Sequence, residues 1–146
     1  MAGHLYVGAA AEDPGYFHHL KLARNLSAVT AACLAMRRAV FEQAGGFDAE
    51  HLAVAFNDVD LCLRVGALGY QVIWTPLARL THLESASRGS DLDPARQARF
   101  AAEGAWMRQR WGAVLDNDPF YGPNFDRRAG DYRLADPPGR VPPWKA

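Results

Sequence analysis

Apolar residues along the chain fall into patches separated by glycine, proline or polar runs. The longest patch, Leu26 to Met36, is rich in small and β-branched residues and predicts a strand buried on both faces, with partners on either side. Arg37 to Ala44 follows as a short helix stopped by Gly45. Upstream, Gly3, Gly8, Pro14 and Gly15 among scattered aromatics predict short irregular segments and one strand near His4 to Val7.

Gly45-Gly46-Phe47-Asp48 reads as a turn, because adjacent glycines supply positive φ angles, and Phe47 is expected to plug into the core. Asn57 is placed to cap a helix over Asp58 to Leu68, with Asp58 and Asp60 in its first turn. Val59, Cys62, Leu63 and Gly66 form its expected packed face, and Gly69 is its stop. Tyr70 to Thr75 alternates as a strand up to Pro76, Ala78 to His82 reads as a second, and Glu84 to Asp91 as a polar loop. Asp93 and Pro94 then open a helix to about Trp111, packing through Phe100, Met107 and Trp111, with Gly112 beyond its end. Six of the nine prolines fall between Pro119 and Pro143, so residues 116–146 are expected to be an extended tail, wrapping the body or partly free, without a second core. The predicted organisation is an α/β domain over residues 1–115 followed by that tail, with no internal repeat.

Composition narrows the function classes. Of 146 residues, 49% are apolar and 22% charged, enough to bury a core. Sixteen basic residues balance sixteen acidic ones with no run of like charge, which argues against nucleic acid or an anionic surface as partner. Leu26 to Met36 is too short to span a bilayer, and the N-terminus lacks a basic region followed by an apolar one, so the expectation is a cytoplasmic protein, at most peripheral to the inner face of the membrane. Cys33 and Cys62, each among apolar neighbours, read as buried free thiols.

Candidate chemistry sits at element ends: Asp48 after the glycine turn, Asp58 at a helix start, and His82 with Glu84 where a strand meets a loop. A carboxylate in a first helical turn can accept a proton or meet a cation; spacing alone favours the simpler reading, that Asp58 and Asp60 satisfy the helix start. His82 reads as a polar strand end or a metal ligand, and Arg88 as a solvated loop residue or a phosphate clamp. His51 and the other histidines have weaker cases, and the tryptophans read as core or tail anchors.

Five ordered blocks add a resemblance: Ala28-Val29-Thr30-Ala31-Ala32-Cys33-Leu34 with Arg37-Arg38 and Val40-Phe41; Gly45-Gly46-Phe47-Asp48; Phe56-Asn57-Asp58-Val59-Asp60-Leu61-Cys62-Leu63-Arg64; Gly69-Tyr70; and His82 with Glu84-Ser85-Ala86-Ser87-Arg88-Gly89. Over Asn25 to Trp111 the chain resembles the second half of family 2 glycosyltransferases of the GT-A type, in the bacterial rhamnosyltransferase-like branch that builds surface polysaccharides. The resemblance implies the C-terminal, acceptor-side half of a GT-A fold, a mixed sheet with flanking helices. It also implies inverting transfer from a nucleotide-sugar donor to a saccharide or lipid-linked acceptor, with a divalent metal, Mg or Mn, at the leaving diphosphate. Carried over residue by residue, Asp58 is the general base, Asp48, Asn57 and Arg88 line the substrate side, and His82 is the metal ligand.

The chain departs from the family pattern at Asn57, where glutamate is usual, and at Leu83, where a second histidine is common. No Asp-X-Asp metal motif stands upstream of Ala28, and Asp58-Val59-Asp60 falls inside the block that carries the base. The expectation is therefore a fragment without the donor-binding half. The alternative is an inactive acceptor-binding or interaction module that pairs with itself or a partner chain along the edge left by that half.

Overall fold

Three helices and one short sheet carry the architecture of the computed structural model, which describes residues 3–81, 93–140 and 143–145. In chain order the elements are β1 (Arg24–Asn25), α1 (Arg38–Gln43), α2 (Asn57–Ala67), β2 (Ile73–Trp74) and α3 (Pro94–Asp116). β1 and β2 pair antiparallel, with Arg24 opposite Trp74 and Asn25 opposite Ile73, and the N–H of Leu26 extends the ladder to the carbonyl of Val72 at 3.0 Å. Among the described residues no helix is long and apolar enough to cross a membrane.

The core lies between α1 and α2. Val40 and Ala44 meet Leu61 and Val65, and Met36, Phe41 and Tyr70 close around them. Burying each of the larger aliphatic side chains contributes about 1.5–3 kcal/mol. The chain leaves α1 through Gly45 (φ 81°) and Gly46 (φ 67°), as the paired glycines predict. Phe47 is 44% exposed and meets Phe41 edge-on at 5.5 Å, so it covers the core's rim where the sequence predicts insertion.

α2 starts at Asn57, one residue earlier than predicted. Its cap position is Phe56, in the left-handed region at φ 60°, with no side-chain cap, so Asn57 is the first helical residue and not the cap. The Phe56 ring rests against Phe100 at 5.1 Å, and packing overrides the local preference for a polar cap. The buried face is also rotated: Asp60, Leu61, Cys62 and Val65 are buried, whereas Gly66 is exposed, because Asp60 is drawn inward by partners on other elements. Gly69 (φ 87°) ends the helix as expected.

Leu26 to Met36 forms no strand. Thr30 accepts a hydrogen bond from the N–H of Ala32 and turns the chain into a short 3₁₀ segment, Ala31–Cys33, and Ala31, Ala32, Cys33 and Ala35 are exposed. Cys33 is thus an exposed thiol, contrary to its apolar context, while Cys62 is buried as predicted. His4 to Val7 runs through a turn rather than a strand. Of the predicted Tyr70 to Thr75 strand, Ile73 and Trp74 form β2 and Val72 adds one hydrogen bond to the ladder, while Ala78 to Thr81 is irregular. Asp93 caps α3, accepting from the N–H of Ala95, but the helix continues through Gly112 to Asp116. Met107 is buried in it, whereas Phe100 is 54% exposed.

Tyr132, 4% exposed, sits at the centre of an aromatic cluster joining the N-terminal segment to residues 121–132. Tyr16 stacks on it at 5.4 Å, Tyr6 at 5.7 Å, and His19 and Phe125 approach edge-on. Arg24 of β1 donates to the Tyr132 hydroxyl at 2.7 Å, and Ser27 donates to Asp118 at 2.6 Å. The tail thus builds a small second cluster against the body.

Candidate functional site

Asp58 and Asp60 stand two positions apart at the start of α2, about 200° around the helix, and their carboxylates have separate surroundings. Asp58 is half-buried and turns toward the 3₁₀ segment: its Oδ2 accepts from the N–H of Ala31 at 3.1 Å and its Oδ1 from the N–H of Val59 at 2.8 Å. Cys62, one turn along, lies on the same side, its Sγ 3.7 Å from the carbonyl of Val29. Burial, with the neighbouring Asp58 carboxylate, pushes the Cys62 thiol above its ordinary range. An ionised carboxylate offers about four acceptor positions, so the two N–H groups orient Asp58 and leave room for a hydroxyl donor.

Asp60 is fully buried and committed to structure. One oxygen accepts from Arg64 Nε at 2.8 Å, the other from Trp111 Nε1 at 2.8 Å. Arg64 carries the network onward, donating to the backbone carbonyls of Ala44 and Gly46. One carboxylate therefore ties α2 to α3 and, through Arg64, to the turn after α1. Glu103 of α3, 3% exposed, accepts from the N–H groups of Val54 (3.1 Å) and Ala55 (2.7 Å), fixing the loop that leads to Asp58.

Asp48 falls on the α3 side. Its Oδ1 accepts from the N–H of His51 at 3.1 Å, the His51 ring Nδ1 lies 3.0 Å away, and Arg110 approaches its Oδ2 at 3.5 Å. Burial works to raise the Asp48 carboxyl, but the His51 N–H and ring, aided by Arg110, outweigh it and hold it below the usual carboxylate range. Arg110 also stands 3.4 Å from Asp60, bridging the two acids, and the His51 ring lies parallel on Trp106 at 3.9 Å.

Of the predicted site residues, Asp58 and Asn57 are neighbours at the start of α2, and Asp48 contacts the opposite network rather than Asp58. His82 and Arg88 lie outside the described residues. Among the described residues, no three His, Cys, Asp or Glu side chains come together to hold a metal ion. The sequence reading placed Asp60 only at the helix start, and its buried network with Arg64 and Trp111, like the roles of Glu103 and Arg110, escaped it. The i, i+4 spacing of Asp60 and Arg64 was a usable signal, while Glu103, in an alanine-rich stretch, carried none.

No protein-family model matches the chain, and no solved structure matches it. It is 47% identical over 137 residues, 94% of its length, to the uncharacterized protein y4gI of Sinorhizobium fredii, of which it spans 15%. It is 40% identical over 120 residues, 81% of its length, to the O-antigen biosynthesis protein RfbC of Myxococcus xanthus, of which it spans 9%. Over 68 residues, 47% of the chain and 22% of the relative, it is 37% identical to the N-acetylglucosaminyl-diphospho-decaprenol L-rhamnosyltransferase of Mycobacterium tuberculosis. The chain is thus similar to one uncharacterized protein, one named for O-antigen biosynthesis and one named as a rhamnosyltransferase, and it spans less than a quarter of the length of each.

Proposed function

We propose that the chain is the acceptor-side part of a GT-A, family 2 glycosyltransferase, with Asp58 as the general base of an inverting transfer. The observation that carries the reading is the split on α2: Asp60 is consumed by the fold, while Asp58, two residues away, is oriented by backbone N–H groups and keeps acceptor capacity. The ordered blocks around it, and the similarity to relatives named for O-antigen biosynthesis and rhamnosyl transfer, support this assignment.

The chemistry follows from that carboxylate. An acceptor hydroxyl donates its proton to Asp58 as its oxygen attacks the anomeric carbon of a nucleotide sugar. The new C–O glycosidic bond forms on the face opposite the leaving group, the bond to the diphosphate breaks, and the nucleoside diphosphate departs with that electron pair. Holding the acceptor against a fixed base supplies the proximity part of the rate. A divalent metal is expected at the diphosphate by the resemblance alone, and His82, the ligand it implies, lies outside the described residues.

The test is the product's anomeric configuration, read by proton NMR from the active polypeptide that carries this segment. Inversion is expected. Retention would sink the single-displacement reading, because a lone base cannot produce it.

A further inference from the structure

We propose that the α3 side of the loop after the glycine turn is a saccharide-binding groove, separate from Asp58. The choice of a saccharide rests on the glycosyl-transfer reading; the place rests on the geometry alone. A depression of about 640 Å³ is lined by Asp48, Glu50, His51, Trp106, Gln109 and Arg110. A second, of about 430 Å³, shares Asp48, Glu50 and Arg110 with it and runs on toward the glycine turn. Through these shared residues the two depressions join into one shallow groove open to solvent.

Its floor is fixed and its rim is uncommitted. The parallel His51 and Trp106 rings at 3.9 Å form a flat aromatic layer, and Asp48 locks His51 through both the backbone N–H and the ring. Trp106, Gln109 and Arg110 stand three and four positions apart, on one face of α3. Among the described residues the Glu50 and Gln109 side chains make no hydrogen bond, and the two ion pairs of Arg110, at 3.4 and 3.5 Å, are long. The rim therefore presents a carboxylate acceptor, an amide that both donates and accepts, and a guanidinium donor beside an apolar aromatic edge. A pyranose matches that combination: its hydroxyls both donate and accept, and its C–H face is apolar. A nucleotide fits less well, because Asp48 and Glu50 repel its phosphates.

The groove also lies away from the base. Asp58 turns toward Ala31, whereas Arg110 and Asp48 connect to Asp60 on the other side of α2. The groove would hold sugar units of an acceptor chain at a distance from the reacting hydroxyl.

The test is a titration of the full chain, with amide and indole N–H signals followed by NMR, using neutral trisaccharides built from glucose, galactose, mannose and rhamnose. At least one should shift the Trp106 indole and Gln109 amide signals. Gln109→Ala and Glu50→Ala, both exposed and harmless to folding, should each weaken that binding about fivefold, the worth of one hydrogen bond. Asp58→Asn should leave it unchanged, which separates failure of the groove from failure of the base assignment. Absence of binding by every trisaccharide, binding indifferent to Gln109 and Glu50, loss of binding in Asp58→Asn, or preference for a nucleoside diphosphate would each overturn the proposal.

Discussion

Asp58 and Asp60 occupy one turn of one helix, yet they meet different fates. The Asp60 carboxylate takes a guanidinium and an indole N–H, both at 2.8 Å, and is sealed from water. Asp58, on the other side of α2, takes two backbone N–H groups among the described residues and remains half-buried. The contrast teaches that acidity at a helix start says little about role. What decides is how many of a carboxylate's acceptor positions the fold has already used.

Breaking the Asp60 side should cost the most stability. Asp60→Ala leaves Arg64 partnered only by carbonyls and Trp111 without an acceptor, so a loss of about 3–5 kcal/mol is expected in denaturant unfolding. A loss below about 1 kcal/mol would mean that the network does not hold α2 to α3. Glu103→Ala should cost about 2–3 kcal/mol by stranding the N–H groups of Val54 and Ala55, and hydrogen exchange at those two amides should rise with it.

Asp48 gives a smaller, pH-dependent effect. Its folded-state carboxyl lies below the unfolded value, so its stabilisation is present above the ordinary carboxylate range and is lost as pH falls through the folded value. Asp48→Asn should therefore narrow the difference in melting temperature between neutral and acid pH, and an unchanged difference would refute the pairing with His51 and Arg110. The mildest probe is chemical. Exposed Cys33 should react promptly with a thiol reagent in the native state, whereas Cys62, buried and with its thiol raised, should react at least about tenfold more slowly. Equal rates would place Cys62 at the surface.

Local punctuation made much of the helical frame legible. Gly45-Gly46, Gly69 and the Asp93-Pro94 start are signals of backbone geometry that need no distant partner, and all three sit where they were expected. Leu26 to Met36 misled because apolar character implies burial only where something covers it, and Thr30 closes a turn there instead. The aromatic cluster was invisible because Tyr132 meets Tyr6 and Tyr16 across more than a hundred residues, a pairing no local pattern encodes. Phe56 at the head of α2 shows packing against Phe100 prevailing over the capping preference that favoured Asn57. At the site, spacing alone read Asp58 and Asp60 alike. The resemblance singled out Asp58, and the hydrogen bonds separate the pair.

The most direct test compares Asp58→Asn with Asp60→Asn in the active polypeptide, measuring transfer rate and melting temperature for both. Asp58→Asn should cut transfer by about 10² to 10⁴-fold while the melting temperature stays close to that of the parent, and Asp60→Asn should chiefly lower the melting temperature. Transfer by Asp58→Asn at close to the parent rate would contradict the account, because the base would then be another group.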